Sequence, residues 1–277
     1  MSVMTRDLAL RVERSESDHF TSWSMFLRNI PENPFGIEIQ RFGNCTALVN
    51  SVATLGPLFN RVLGFGETDL PLLAELVRFY TDRGLRCRID VNPYQGTPNL
   101  FRALGLVGMQ VVRFHSFLYW SSPSVPSPAG AASDEEPAIR RIDYAAGAGE
   151  WAKVWLGSFT EVMGASPNVV LPLSLATADL HQQPGWSLYL ARVKKEPAAA
   201  SALYIGNGVG SLAIAGTLPK FRRLGCQTAL LKARLVEATN QKCDLIVAQS
   251  GLGTSSQHNM ERLGMKIGYT RAFWIQP

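Results

Sequence analysis

Apolar side chains recur along the chain at spacings typical of helices in some segments and of strands in others. Leu72 and Leu76 belong to an apolar set with helical spacing, which predicts a helix over 70–82. Residues up to about Arg14 form a polar lead, and the stretch 167–184 is interrupted by prolines. Predicted strands lie at 36–40, 46–50, 87–91, 109–120, 139–144, 186–192, 199–205 and 244–248. The other predicted helices lie at 19–27, 98–104, 151–159 and 227–238. This mixture predicts an α/β fold.

One order of elements occurs twice along the chain. Each copy has a helix, a strand, a Gly-Thr pair and a closing aromatic pair. These are 70–82, 87–91, Gly96-Thr97 and Tyr119-Trp120 in the first copy, and 227–238, 244–248, Gly253-Thr254 and Phe273-Trp274 in the second. Such a repeat is typical of a duplicated supersecondary unit, although two α/β halves can also agree by coincidence.

The segment 121–137 separates the two copies. It is rich in Ser, Pro and Ala and has no apolar periodicity, which is typical of a linker. We therefore predict one domain at 1–120, a linker at 121–138 and a second domain at 139–277. A chain of 277 residues with 46% hydrophobic residues is long enough for two such cores.

Charge is distributed unevenly between the halves. Of the 27 Lys and Arg and 22 Asp and Glu, 12 and 14 lie in residues 1–138, whereas 15 and 8 lie in residues 139–277. The second half therefore carries the basic excess, which favours a polyanionic ligand there. No basic cluster is interleaved with aromatic residues, so nucleic acid is not expected as a partner.

The strongest local signal lies between Ser211 and Glu237. An apolar strand ends at Pro219, and Arg222-Arg223-Leu224-Gly225 leads into a helix that opens at about Gln227. The first N–H groups of a helix have no intrahelical partner, and the helix dipole makes that end partially positive. A strand, a glycine turn and a helix N-terminus can therefore hold a pyrophosphate. The other interpretation is an ordinary connection with solvated arginines.

This turn differs from two common phosphate-binding loops. It has neither the Gly-x-x-x-x-Gly-Lys-Ser/Thr of nucleoside triphosphate sites nor the Gly-x-Gly-x-x-Gly of dinucleotide sites. It resembles motif A of the GNAT superfamily of N-acetyltransferases, Gln/Arg-x-x-Gly-x-Gly/Ala, at Arg222, Gly225 and Gln227. Gln227 is a departure, because the family usually has Gly or Ala there. The resemblance implies two GNAT-like folds in tandem with a mixed sheet.

The resemblance also implies a set of residues that bind acetyl-CoA. Three are backbone donors on the strand before the motif, beside the thioester and pantetheine, and three are polar side chains on the last helix; the rest form the loop. The predicted binding residues are Gly216, Thr217, Leu218, Arg222, Arg223, Leu224, Gly225, Cys226, Gln227, Thr228, Ser256, Asn259 and Arg262. The first half has Glu67 and Asp69 at the matching helix start, where carboxylates would repel a pyrophosphate, so we expect that copy to be degenerate.

The catalytic residues are less clearly marked. Many GNAT members have a Tyr as general acid where this chain has Glu261, so we name Tyr269 as an alternative proton donor, against a core role for a buried tyrosine. Glu161 follows an aromatic helix on the acceptor side of related folds and is the candidate general base, against a solvated helix-end glutamate. His181 is a second candidate base.

We expect a cytoplasmic enzyme that transfers acetyl from acetyl-CoA to a primary amine of a small or amino-acid-like molecule. A protein or peptide N-terminus as acceptor, and a non-catalytic acyl-CoA sensor, are the alternatives. The 4 Cys and 4 His have no metal-ligand or disulfide spacing, so no metal site is predicted. No signal peptide or membrane span is apparent, and we expect a monomer or homodimer.

Overall fold

The computed structural model describes residues 3–52, 59–121, 137–143, 145–163 and 167–277, without the side chains of 145–146, 160–163 and 167–169. Its helices are α1 (Arg6–Arg28), α2 (Leu73–Thr81), α3 (Pro98–Leu106), α4 (Ala145–Met163), α5 (Pro167–Ala178), α6 (Cys226–Asn240) and α7 (Ser255–Arg262). Its strands are β1 (Glu38–Phe42), β2 (Cys45–Val49), β3 (Arg61–Leu63), β4 (Arg88–Val91), β5 (Gln110–Trp120), β6 (Ala138–Arg141), β7 (Trp186–Val193), β8 (Glu196–Gly206), β9 (Val209–Ser211), β10 (Ala215–Thr217), β11 (Leu245–Gly251) and β12 (Lys266–Ile275). The predicted α/β fold is confirmed.

Residue contacts divide the chain into two compact units. The N-terminal unit contains residues 3–117, 250–252 and 267–277, and the C-terminal unit contains 118–249 and 253–266. Each unit is therefore built from separate segments of the chain, whereas each predicted domain is one continuous segment. Most of the last strand, β12, belongs to the N-terminal unit.

The N-terminal unit contains a mixed sheet with the strand order β1-β2-β3-β4-β12-β5. β1, β2 and β3 are antiparallel neighbours, β3 runs parallel to β4, and β12 is antiparallel to β4. Alternate side chains of these strands pack with α2 and α3 into an apolar cluster that includes Val62, Leu76, Ile89 and Leu104. One face of the sheet is therefore an ordinary hydrophobic core.

Helix α1 differs from the sequence prediction, which began the helix at His19. It begins at Arg6, where the hydroxyl of Thr5 accepts a hydrogen bond from the Leu8 N–H at 3.2 Å. Glu13 and Glu16 lie on its buried side, although the sequence suggested a polar lead as far as Arg14. The prediction was wrong because these carboxylates pair with buried arginines rather than with water.

The buried carboxylates belong to an ion cluster inside the N-terminal unit. Its members are Glu13, Glu16, Arg61, Arg88, Asp90 and Arg271, each at most 7% exposed. Arg271 contacts three carboxylates, with Nη–O distances of 2.9 Å to Glu13, 2.9 Å to Glu16 and 3.1 Å to Asp90. Burial raises the pKa of Glu13 to about 7 despite the nearby Arg271 charge. These ion pairs hold α1 and the strands β3, β4 and β12 together.

The C-terminal unit contains the strand order β11-β9-β8-β7-β6, with β10 on β8. β9 runs parallel to β11, and the pairs β8/β9, β7/β8 and β6/β7 are antiparallel. Helix α6 is buried against this sheet through an apolar cluster that includes Leu230, Leu231, Leu235 and Ile246. The core therefore fixes α6, whose N-terminus is the predicted anion site.

Candidate functional site

A tight turn connects β10 to α6 in the C-terminal unit. Pro219–Phe221 forms a 3₁₀ turn, and Gly225 is the residue that caps α6. Gly225 has a φ of +76° and Arg223 a φ of +68°, both in the left-handed region. Gly225 adopts that conformation without a Cβ penalty, whereas Arg223 is strained. The left-handed conformations of Arg223 and Gly225 therefore define the path of the turn into α6.

The first turn of α6 leaves its backbone donors available. The Ala229 N–H donates to the Gly225 carbonyl at 3.0 Å, so the N–H groups of residues 226–228 precede the regular ladder. Among the described residues, no side chain caps this helix, whereas a threonine hydroxyl caps each of α1, α3 and α7. The partially positive end of α6 can therefore accept an external anion.

The side chains of the turn point in different directions. Arg222, Arg223 and Leu224 are exposed, so both guanidinium groups can reach a ligand at the surface. Cys226, which was also predicted to bind the cofactor, is 2% exposed and packs in the core of the unit. Burial raises the pKa of its thiol. Cys226 can therefore contribute its backbone N–H to the site, but not its side chain.

The strands before the turn separate. β9 pairs with β11 as far as Ser211, opposite Val247, and the Leu212 N–H still donates to the Val247 carbonyl at 2.8 Å. The next strand, β10, pairs with β8 instead. The edge of β10 that faces away from β8 can therefore bind an extended ligand through backbone hydrogen bonds.

Hydrogen-bond alternation decides which residues of β10 face that edge. The Ala202 N–H donates to the Ile214 carbonyl, and the Leu218 N–H donates to the Ala198 carbonyl. In an antiparallel pair, alternate residues point to the same neighbour, so Gly216 also points to β8. The backbone groups of Ala215 and Thr217 point to the other edge. Of the three predicted donors, Thr217 alone faces the open side, and Ala215 was missed although strand alternation could have revealed it.

Gly216 is required by close packing against α4. A Cβ added at Gly216 would lie 1.9 Å from the Ser158 Oγ and 2.7 Å from its Cβ. Ser158 is 7% exposed, and its hydroxyl donates to the Trp155 carbonyl at 2.7 Å, so it cannot move freely. No sequence signal identified this contact, because it joins segments far apart in the chain.

We expect Gly216→Ala to lower the unfolding free energy by roughly 1–3 kcal/mol, because the added methyl overpacks the site. The same substitution should cost less in a Ser158→Gly background, as measured by chemical denaturation of all four proteins. Gly149→Ala in α4 is the control, because a Cβ there meets no atom within 4 Å. An equal cost of Gly216→Ala in both backgrounds would show that Ser158 is not the limiting contact.

Gln227 links α6 to α7. Its side-chain Nε2 donates to the Ser256 Oγ at 2.7 Å, and its Oε1 accepts from the Asn259 Nδ2 at 2.8 Å. Arg262 donates to the Asn259 Oδ1 at 2.9 Å, which extends the row. The four side chains predicted to lie near the cofactor are therefore brought together. Gln227, the residue that departs from motif A, is hydrogen-bonded to two of the other three.

The two predicted catalytic residues lie in different units. Tyr269 belongs to the N-terminal unit, where its hydroxyl donates to the Glu13 Oε2 at 3.2 Å and its ring stacks on Phe117. Burial and the Glu13 charge raise its pKa well above the usual value. These contacts are those of a core tyrosine. Glu161 lies in α4, but its side chain is outside the described residues.

The matching turn of the N-terminal unit is filled by its own carboxylate. Asp69 is 2% exposed and accepts from the Gly66 N–H at 3.1 Å and the Asn44 N–H at 3.0 Å. A bound anion would have to displace this carboxylate and overcome its charge. The contrast with the uncapped start of α6 identifies the C-terminal turn as the candidate site.

No family model and no curated protein matches the chain. Solved structures do. A GCN5-related N-acetyltransferase from Kribbella flavida aligns over 98% of this chain and 96% of its own, with a TM-score of 0.62 and 17% identity. The fold is that of the GNAT acetyltransferases.

Two further structures have this fold. A GCN5-related N-acetyltransferase from Sphaerobacter thermophilus aligns over 84% of this chain and 80% of its own, with a TM-score of 0.55 and 13% identity. A tandem GNAT protein from the clavulanic acid biosynthesis pathway aligns over 78% and 74%, with a TM-score of 0.53 and 15% identity. At these identities the likeness concerns the fold.

None of the helices that the structure describes combines the length and the hydropathy of a membrane-spanning segment.

Proposed function

We propose that the C-terminal unit binds acetyl-CoA and transfers its acetyl group to a primary amine of a small molecule. One observation carries the proposal. The start of α6 leaves backbone N–H groups without an internal cap, beside two exposed arginines and the open edge of β10. An extended molecule with a pyrophosphate at one end is complementary to this arrangement.

Within this proposal, the residues of the C-terminal unit have separate roles. Arg222, Arg223 and the first N–H groups of α6 bind the pyrophosphate, and the Ala215 and Thr217 backbone binds the pantetheine and polarises the thioester carbonyl. The amine nitrogen attacks that carbonyl, the carbon–sulfur bond breaks, and the thiolate leaves and takes up a proton from water. Glu161 is the proposed base that removes the proton from the attacking amine.

We further propose that the chain is a tandem of two GNAT-like folds of which the first is silent. The order helix, strand, helix, strand occurs twice along the chain, as α2, β4, α3, β5 and as α6, β11, α7, β12, and Thr97 and Thr254 cap the second helix of each series in the same way. Asp69 supports the loss of anion binding in the first copy.

A non-catalytic acyl-CoA sensor is the second candidate. It is favoured by Glu261, which occupies the position where many GNAT members have a tyrosine that acts as general acid. It is also favoured by the burial of Tyr269 against Glu13. A sensor and an enzyme make the same contacts with the ligand and differ only in turnover.

Amine-dependent cleavage of the thioester separates the two candidates. We expect free thiol to appear only when a primary amine from a panel of polyamines, amino acids and amino sugars is added to protein and acetyl-CoA. The rate should rise with pH while the amine loses its proton, because the neutral amine is the nucleophile. Binding of acetyl-CoA without thiol release from any amine would contradict the enzyme and support the sensor.

A further inference from the structure

The side chain of Gln227 makes two hydrogen bonds of opposite sense to one helix. It donates to Ser256 at 2.7 Å and accepts from Asn259 at 2.8 Å, and both partners lie on α7. Flipping the Gln227 amide would place its Nε2 donor against the Nδ2 donor of Asn259. The network therefore determines the orientation of the Gln227 amide.

Asn259 is committed on both sides. Its Nδ2 donates to Gln227 and its Oδ1 accepts from Arg262 at 2.9 Å. The opposite end of α7 is also tied, because the Gln257 Oε1 accepts from the Gly253 N–H at 2.9 Å. Each polar atom of the Asn259 amide therefore already has a hydrogen-bond partner within the protein.

Gln227 is also the second residue of α6, so its backbone N–H is one of the groups that precede the helical ladder. A side chain fastened to α7 restricts the motion of that N–H. Gly or Ala at this position could not make the link. Restricting the donors before binding reduces the ordering cost that the ligand would otherwise meet.

We propose that Gln227 is a positioning residue that fastens α7 to the first turn of α6, with Ser256 and Asn259 as its anchors. This assigns Ser256 and Asn259 to holding the loop rather than to contacting the pantetheine. The effect on acyl-donor affinity rests on the proposed function, whereas the link between the helices does not.

Amide hydrogen exchange in the free protein tests the link without any ligand. Gln227→Met keeps the length of the side chain and removes both hydrogen bonds. We expect exchange of the α7 amides to accelerate about thirtyfold, since two bonds of roughly 1 kcal/mol each are lost to local opening and each 1.4 kcal/mol is a factor of ten. Gln241→Met is the matched control, because Gln241 lies at the other end of α6 and bonds to Glu237 on the surface.

Non-additivity identifies the partner. In Gln227→Met with Asn259→Leu, the acceleration of α7 exchange should be smaller than the product of the two single effects, because the Gln227–Asn259 hydrogen bond is lost in both single variants. Unchanged exchange in Gln227→Met overturns the proposal, and so does an additive effect of the two substitutions.

The consequence for the site is measured with acetyl-CoA. We expect Gln227→Met to raise the Kd and KM for acetyl-CoA about tenfold, with kcat and the KM for the amine unchanged. Weaker binding with unchanged α7 exchange would mean that Gln227 contacts the ligand directly, against the proposal. Faster α7 exchange in a protein that binds no acetyl-CoA would retain the link, overturn its role in binding and contradict the proposed function separately.

Discussion

Replacing Arg271 by leucine should prevent the N-terminal unit from folding. Its guanidinium contacts Glu13, Glu16 and Asp90 and is 0% exposed. Removing it leaves three carboxylates in a low-dielectric interior, where the negative charges then outnumber the positive charges of the remaining arginines. The uncompensated negative charge would have to be neutralised by a proton or solvated by water that enters the interior.

The magnitude follows from the size of such effects. Breaking a buried ion pair by removing one partner costs roughly 3–5 kcal/mol, and a whole domain is stable by only about 5–15 kcal/mol. Arg271 serves three partners at once. The cluster already holds the pKa of Glu16 below its usual value, because the Arg271 and Arg61 charges outweigh the effect of burial. The loss should therefore consume most of the stability of the unit.

Arg83→Ala is the control for this substitution. Arg83 also makes two hydrogen bonds to a carboxylate, at 2.9 and 2.8 Å to Glu38, but both side chains are partly exposed. An exposed pair of this kind contributes roughly 0–1 kcal/mol. Thermal unfolding followed by circular dichroism should show a near-normal transition for Arg83→Ala and none for the N-terminal unit of Arg271→Leu. A fully folded Arg271→Leu protein would contradict our account of the cluster.

The double variant Arg222→Ala/Arg223→Ala should weaken acetyl-CoA binding by a factor of about 10² or more, since each charge-assisted hydrogen bond contributes roughly 1.5–3 kcal/mol. Both side chains are exposed, so their removal should leave the fold intact. The loss should appear in the Kd measured by calorimetry, with an unchanged unfolding midpoint.

A second pair of arginines provides the matched control. Arg140 and Arg141 are adjacent, exposed and in the same unit, on the strand β6. Replacing both by alanine changes the net charge by the same amount without touching the turn. Equal losses of affinity in the two double variants would show that the total charge of the unit, not the turn, attracts the ligand.

The features that sequence predicted well are local ones. Helix α6 was expected over 227–238 and spans Cys226–Asn240, because a glycine turn and an apolar face specify it within one segment. The start of α7 is also specified locally, because the Thr254 hydroxyl accepts from the Gln257 N–H. Where the local signals agree, the fold can be read without knowledge of distant partners.

The features that sequence missed depend on distant partners. Helix α5 was read only as a proline-interrupted stretch, yet Pro172 lies inside it, and buried Val170 and Leu173 pack despite the missing N–H. The start of α1 was missed because its glutamates are neutralised by Arg61 and Arg271, far away in the chain.

The candidate site shows the same division. Arg222 and Gly225 could be selected from the turn pattern alone, and the structure places both at the start of α6. The attachment of Gln227 to Asn259 and the contact of Gly216 with Ser158 could not, since each joins separate elements. Sequence therefore located the loop, and only the structure showed what supports it.

Calorimetric titration of the unmodified protein with acetyl-CoA tests the central claim most directly. We predict saturable binding of one acetyl-CoA per chain, because α6 has an open N-terminus and Asp69 fills the matching turn of the N-terminal unit. Two sites per chain would contradict the silent first copy. No binding would contradict the acyl-CoA site itself, and the turn before α6 would then be an ordinary connection between a strand and a helix.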